Sequence, residues 1–337
     1  MRTEANIIAR LVRIIPSATR NRGVAGVAVG IGDDAAVVRA RRGRDWVVST
    51  DAFIEGRHFL ARLHPPYGVG YKALARAVSD LAAMGVTPRY FLLTLALPSG
   101  RAGRWLEDFA GGMADAARMF RMHLVGGDVS RYDHVVAGVT VIGEAPRNRI
   151  LTRSGGRPGD AIYVTGRLGA AQCGLEILLR SGRRALRNYS YPVHRHLNPI
   201  PRLLIGSWLA GQKLATAAMD ISDGLSSDLA RLCAASGVGA VVHAGALPIA
   251  RDERPGTRRR KPAGEHGDEL RRALHGGEDY ELLFTVPRRL ASRIPRAYGG
   301  VAITHIGELT ARRTVRLEEY GRTRPLRPGG WEHFGGR

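Results

Sequence analysis

Cysteine is nearly missing from this sequence: Cys173 and Cys233 are the only two in 337 residues, and they stand far apart. Their rarity excludes a disulfide-stapled fold and the paired spacing of a structural zinc site, and it is the usage expected of a protein kept in the reducing cytoplasm. Each lies in an apolar stretch that reads as helix, so both are expected to be small buried hydrophobes. Aromatic residues are scarce too, at 6%. The two densest arginine stretches, 180–187 and 251–272, contain no Phe, Trp or Tyr and so lack the stacking surface of a single-strand nucleic-acid platform. Residues 1–15 carry Arg2, Glu4, Arg10 and Arg13. These charges suit an amphipathic helix and fit neither a signal peptide nor a membrane span, and no membrane partner is expected.

Acidic residues are the minority, 30 Asp plus Glu against 51 Lys plus Arg, for a formal net charge of +21. Such a charge attracts phosphate backbones without specificity. The arginine stretches read as solvated loops or helix faces, which makes a basic nucleic-acid-binding protein the remote alternative. With 44% hydrophobic residues and 43 glycines the chain has the composition of a globular, turn-rich protein, long enough for two cores. Strand-like runs at 46–50, 90–97, 135–143, 161–165, 238–243, 281–286 and 302–309 alternate with helical spacing at 71–84, 105–122 and 169–179, an α/β pattern. A short strand starts at 123–125, and 251–266, dense in Arg, Pro and Gly, reads as a surface loop. The pattern restarts after 147–149, giving two expected domains, 1–147 and 148–337.

What the basic chain does contain is aspartate in five clusters: Gly30-Ile31-Gly32-Asp33-Asp34, Ser49-Thr50-Asp51, Ser79-Asp80, Gly126-Gly127-Asp128 and Asp220-Ile221-Ser222-Asp223-Gly224. Any one of them is an ordinary glycine-flanked turn or helix cap. Several adjoin strand-like runs, where open sheets bind ligands. Converging carboxylates repel unless cations lie between them, and an oxygen-only donor set without His or Cys suits magnesium. Magnesium on a protein commonly goes with a phosphate-bearing substrate. No Walker sequence, kinase catalytic loop or Ser-His-Asp set is present, and Gly30-x-Gly32 followed by two acids is no dinucleotide fingerprint.

These clusters, together with Glu55-Gly56-Arg57-His58-Phe59, Leu151-Thr152-Arg153-Ser154-Gly155, Gly276-Gly277-Glu278-Asp279-Tyr280-Glu281-Leu282 and Gly330-Trp331-Glu332-His333-Phe334, occur in an order that resembles the thiamine-monophosphate kinase family over about residues 4–334. The wider superfamily includes aminoimidazole ribonucleotide synthetase, selenophosphate synthetase and a hydrogenase maturation protein, so a relative that activates another acceptor with ATP is the alternative reading. The resemblance implies an aminoimidazole ribonucleotide synthetase-like α/β (α+β) fold: an N-terminal mixed sheet that pairs across a homodimer and a C-terminal α/β sandwich. ATP and metals would lie in the cleft between subunits and domains. It implies ATP-dependent phosphorylation of thiamine monophosphate, assisted by several Mg ions. Metal ligation falls on Asp34, Ser49, Thr50, Asp51, Asp80, Asp128, Asp220 and Asp223; ATP contacts fall on Gly127, Asp128, Arg153 and Ser222; and the thiamine part falls to His58, Glu278 and Trp331. No residue is implied as a general base, and Asp51, Asp80 and Asp220 would support the transfer.

Overall fold

The computed structural model describes residues 4–17, 24, 26–29, 37–38, 41–187, 190–251 and 263–332. The chain divides into two units, the first formed by residues 1–81 and 86–148, the second by residues 82–85 and 149–337.

In the first unit α1 (Glu4–Ile14) and the short strands β1 (Val27–Val29) and β2 (Val37–Val38) precede β3 (Arg44–Ile54), α2 (Pro66–Ala83), β4 (Thr87–Leu97), α3 (Arg104–Phe120), β5 (His123–Arg131) and β6 (Val136–Pro146). The sheet runs β3-β6-β4-β5, antiparallel except for the β4/β5 pair. Pro88 is tolerated inside β4 because it sits at a register irregularity, where no ladder N–H is required. On one face the side chains of Phe53, Phe91, Leu93, Leu95, Val139 and Val141 are buried against helices rich in small residues. The other face stays open at Val48, 62% exposed, and at Thr50, Ala52 and Thr94.

The second unit holds β7 (Ala161–Thr165), α4 (Ala170–Ser181), α5 (Tyr191–Leu197), α6 (Leu203–Gly211), β8 (Ala217–Ile221), α7 (Leu225–Ser236), β9 (Gly239–His243), α8 (Ala263–His275), β10 (Glu281–Val286), β11 (Ala297–Tyr298), β12 (Val301–Thr310), β13 (Val315–Glu319) and β14 (Arg322–Pro325). Its sheet has the order β14-β13-β9-β12-β7-β10-β8, with β11 beside β12. Both faces of β7, β8 and β10 are buried, which explains their largely apolar sequences. Met219, Ile221, Leu225 and Leu229 pack on one side, and Tyr163, Ala218, Leu209 and Phe284 on the other. Cys173 and Cys233 are buried in α4 and α7 as expected, and burial pushes the Cys233 thiol up to about 12, out of reach of ordinary thiolate chemistry.

The structure corrects the sequence reading in several places. The stretch 251–266 is not a loop to its end, since α8 starts at Ala263; residues 252–262 lie outside the described ones. The spacing of α5, α6, β13 and β14 gave no signal, because α5 is short and α6 is apolar nearly all round. No helix among the described residues is long and apolar enough to cross a membrane.

Within the first unit, α2 and α3 touch through glycine. A Cβ on Gly112 would stand 1.9 Å from the Tyr67 carbonyl oxygen, and one on Gly70 1.9 Å from that of Phe109, whereas a Cβ on Gly111 meets nothing nearer than 4.0 Å. Gly112→Ala is therefore expected to lower stability by about 2 kcal/mol. Its neighbour Gly111→Ala is expected to raise it by up to about 1 kcal/mol, through the lower entropy of the unfolded chain. Denaturant midpoints of the two variants check the pair, and equal shifts would contradict the helix contact.

Candidate functional site

Three of the aspartate clusters are not turns. Ser49-Thr50-Asp51 lies in the middle of β3, Asp80 is in α2, and Gly126-Gly127-Asp128 continues β5 as an edge strand paired with Leu92, Leu93 and Thr94. Glycine at 127 serves the strand itself, because a Cβ there would sit 2.0 Å from the Leu93 carbonyl oxygen and its φ is 156°.

Alternation along β3 sends Ser49 and Asp51 to the helix-covered face. There the Ser49 hydroxyl donates to Asp80 Oδ2 at 2.5 Å, and Arg76 Nε stands 3.7 Å from Asp51 Oδ2. The Arg76 guanidinium also lies over the Phe53 ring, 5.0 Å from its centre. Thr50 points to the open face, its hydroxyl 3.0 Å from that of Thr140. Asp128 pairs with Thr94 and shares that open face, on the far edge strand. Three strand spacings put the edges β3 and β5 about 14 Å apart, so one copy of this sheet does not bring Asp51 and Asp128 together.

His58 closes the turn after β3. Its Nδ1 accepts the Ile54 N–H at 3.0 Å, and its ring centre is 6.0 Å from that of Phe53. Glu55 in the same turn accepts both ends of the Arg101 fork at 2.6 and 2.8 Å, and this pairing holds its carboxyl below the usual range.

In the second unit a single buried acid that motif reading passed over builds the turn after β8. Asp228 Oδ2 accepts the backbone N–H groups of Ser222, Asp223 and Gly224, each at 3.1 Å. Arg231 Nη1 spans Asp228 Oδ1 at 2.7 Å and Asp223 Oδ2 at 2.5 Å. Burial, with the charge of Asp223 nearby, pushes Asp228 up to about 6. Asp220, 4% exposed, is the last residue but one of β8 and stands opposite Leu282.

Two further segments are tied to this turn through backbone. The Glu278 N–H donates to the Ser222 carbonyl at 2.7 Å, and the Tyr280 N–H to that of Ile221 at 2.9 Å. The Trp331 N–H donates to the Asp223 carbonyl at 3.0 Å, and Gly330 lies so close that a Cβ would sit 1.9 Å from the same oxygen. Asp220, Ser222, Asp223, Glu278 and Trp331 are thus gathered on one end of the sheet. Arg153 is held elsewhere: its carbonyl accepts from Ser236 Oγ at 2.9 Å, at the last residue of α7, and Thr152 pairs with Ala218. Glu278 is a left-handed residue with φ 68° between α8 and β10. Asp34 and His333-Phe334 lie outside the described residues.

Donors in both groups are carboxylate and hydroxyl oxygens, a set that fits a hard cation such as magnesium. Among the described residues no three His, Cys, Asp or Glu side chains are grouped tightly enough to hold a metal ion.

Asp279 and Glu281, next to Glu278, are structural. Asp279 accepts the N–H groups of Gly169 at 2.6 Å and Ala171 at 3.0 Å, capping α4, and Glu281 is fully buried among Thr165, Arg195 and Arg202. No signal in the sequence separates these roles; their burial does.

Family models match the chain in both halves, "AIR synthase related protein, N-terminal domain" at residues 32–145 and the corresponding C-terminal domain at 157–319. Thiamine-monophosphate kinase of Escherichia coli (strain K12) is 41% identical over 288 residues, 85% of each chain. That of Bacillus subtilis is 39% identical over 263 residues, 77% of this chain and 78% of its own. The crystal structure of thiamine-monophosphate kinase from Stenotrophomonas maltophilia superposes with a TM-score of 0.78 at 32% identity, covering 96% of this chain and 97% of that one. A structure described as AaThiL complexed with AMPPCP and TMP gives 0.72 at 33% identity, covering 90% and 92%. The hydrogenase maturation protein HypE of E. coli, at 22% identity and a TM-score of 0.72, shares the fold.

Burial pushes Asp279 up to about 7 against its two N–H donors. The folded chain then binds that proton more tightly than the unfolded chain does between about pH 4 and pH 7, so this group's contribution to stability falls as pH rises through that window. Asparagine carries no such proton. Asp279→Asn is therefore expected to gain on the wild type in Tm as pH is raised from 5 to 8, and a gap that stays constant across those pH values would contradict the raised carboxyl.

Proposed function

The chain belongs to the thiamine-monophosphate kinase family within the AIR synthase related proteins, and on that premise we propose that it transfers the γ-phosphoryl group of ATP to the phosphate of thiamine monophosphate, yielding thiamine diphosphate and ADP. The observation that carries this reading is the match to kinases of that name over most of both chains. The relative complexed with AMPPCP and TMP supports the same pair of substrates. The buried thiols, in no disulfide, suit a cytoplasmic enzyme.

The acceptor suits a site with no dedicated base. A phosphate monoester is already largely dianionic near neutral pH, so its oxygen can attack the γ-phosphorus in line while the bond to the ADP oxygen breaks. What remains is to bring two polyanions together. Magnesium ions, when bound, supply the neutralising charge. Asp34, Ser49, Thr50, Asp51, Asp80 and Asp128 of the first unit and Asp220 and Asp223 of the second would hold them. Gly127, Asp128, Arg153 and Ser222 would bind the nucleotide, and His58, Glu278 and Trp331 the thiamine part. Arg153 offers a planar fork matched to phosphate oxygens. Glu278, with 23% of its side chain exposed, offers a carboxylate to the cationic thiazolium ring.

The separation of Asp51 from Asp128 on opposite edges of one sheet supports a homodimer in which the two residues of one metal site come from different copies. The open face of that sheet, with Val48, Thr50, Ala52 and Thr94, is the surface that would meet the second copy.

ADP release in the presence of magnesium is expected with thiamine monophosphate and not with other phosphorylated or carboxylate acceptors; turnover of a different acceptor alone would overturn the assignment. Asp51→Asn, which removes charge but not volume, is expected to lose at least about a hundredfold in kcat while keeping the wild-type Tm. Mixing inactive Asp51→Asn and Asp128→Asn dimers is expected to restore about one quarter of wild-type activity, since half of the dimers become mixed and each mixed dimer has one intact site. No recovery after exchange would place both residues in the same copy's site.

A further inference from the structure

Beneath the Glu278-to-Glu281 segment lies a second layer that the kinase reading does not use. Glu278 and Tyr280 both have left-handed backbones, φ 68° and 50°, with the buried Asp279 between them. Left-handed conformations are costly for residues with a Cβ, and they persist where the surroundings over-determine them, typically at functional sites.

The surroundings here form a closed circuit. Asp279 caps α4 through Gly169 and Ala171. Helix α4 presses on α5 at Gly174, where a Cβ would stand 2.1 Å from the Pro192 carbonyl oxygen and 2.9 Å from His196 Cβ. Helix α5 returns two adjacent side chains to the segment. Arg195, 5% exposed, donates to the Asp279 carbonyl and to Glu281 Oε1, each at 3.0 Å. His196, 1% exposed, brings Nδ1 to 3.4 Å from Glu278 Oε2. Arg195 thus holds the backbone of the segment, and His196 faces the one carboxylate in it that reaches solvent.

We propose that His196 is the positioning residue of Glu278, fixing one carboxylate oxygen from below so that the group is aimed at the cationic ring of the acceptor. The proposal rests on the reading of Glu278 as the residue that meets thiamine. On this proposal His196 acts through Glu278 and not on substrate or nucleotide directly. Its removal therefore weakens binding of one substrate and leaves the chemical step and the other substrate as they were, a pattern that a general structural defect does not give.

The test is steady-state kinetics on the full-length enzyme with thiamine monophosphate and MgATP varied separately. His196→Leu is expected to raise KM for thiamine monophosphate about tenfold, with kcat and the KM for ATP within about twofold of wild type. His196→Asn, whose amide nitrogen takes the place of Nδ1, is expected to keep the wild-type KM. The double variant His196→Leu/Glu278→Gln is expected to be no worse than Glu278→Gln alone. Multiplicative losses in the double variant, or a parallel rise in the KM for ATP, would overturn the proposal. If His196→Leu does not fold by circular dichroism, His196→Gln takes its place, because its amide reaches the position of Nε2 and leaves Nδ1 unreplaced. A wild-type enzyme without turnover on thiamine monophosphate would sink the kinase reading and this proposal together; normal turnover with an unchanged KM in His196→Leu would sink this proposal alone.

Discussion

Negative charge brought together in a protein must be compensated, and the disposition of the acids in this chain follows from that requirement. In a chain carrying an excess of 21 positive charges the simplest compensation is arginine. Asp51 faces Arg76, Asp223 and Asp228 share Arg231, Glu55 takes the fork of Arg101, and Glu281 sits between Arg195 and Arg202. N–H and O–H donors add to this: three backbone N–H groups on Asp228 beside its arginine, two on Asp279, and the Ser49 hydroxyl on Asp80. Asp51, Asp80 and Asp223, three of the acids proposed to hold metal, are thus held in place by partly exposed contacts that a divalent ion can outcompete. Part of the arginine content therefore has a local cause.

The alternation of apolar runs made most strands and the long helices legible, and the family motifs picked out residues that the fold places at a sheet end, within β3 and β5 and in α2. The local conformation of those motifs was not legible. Glycine beside aspartate reads as a turn, yet Gly126-Gly127-Asp128 is an edge strand, because glycine there answers a 2.0 Å approach to Leu93 and not a need to reverse the chain. Ser49-Thr50-Asp51 reads as a strand end because Trp46, Val47 and Val48 are the visible apolar run. The strand in fact continues to Ile54, and that continuation decides which of the three side chains faces α2. Neither fact is encoded within a few residues of the motif; both depend on the partner strand.

Backbone hydrogen bonds, more than side-chain contacts, assemble the second unit's site. The carbonyls of Ile221, Ser222 and Asp223 each receive an N–H from a distant segment, Tyr280, Glu278 and Trp331 in turn, while the N–H groups of residues 222–224 all go to Asp228. Every polar group of the turn is thereby directed, and the side chains of Ser222 and Asp223 are free of the task of holding it. A turn saturated in this way can present functional side chains without being shaped by them, so substitution of a functional side chain leaves the frame standing.

The same logic separates neighbours within Gly276-Gly277-Glu278-Asp279-Tyr280-Glu281. In an extended strand 279 would face away from 278 and 280, and 278 would share a face with 280. Left-handed φ values at both 278 and 280 break that alternation. Asp279 goes inward to cap α4, Glu281 enters the sheet beside Thr165 and two arginines, and Glu278 alone stays at the surface of the turn, backed by His196. Three acids within four residues therefore have unequal burdens: two are buried and bind the fold, and one stays partly exposed. Burial distinguishes them where sequence cannot, since a carboxylate that is wholly enclosed by backbone N–H groups and guanidinium has no free face to offer a substrate, however suggestive the motif that contains it.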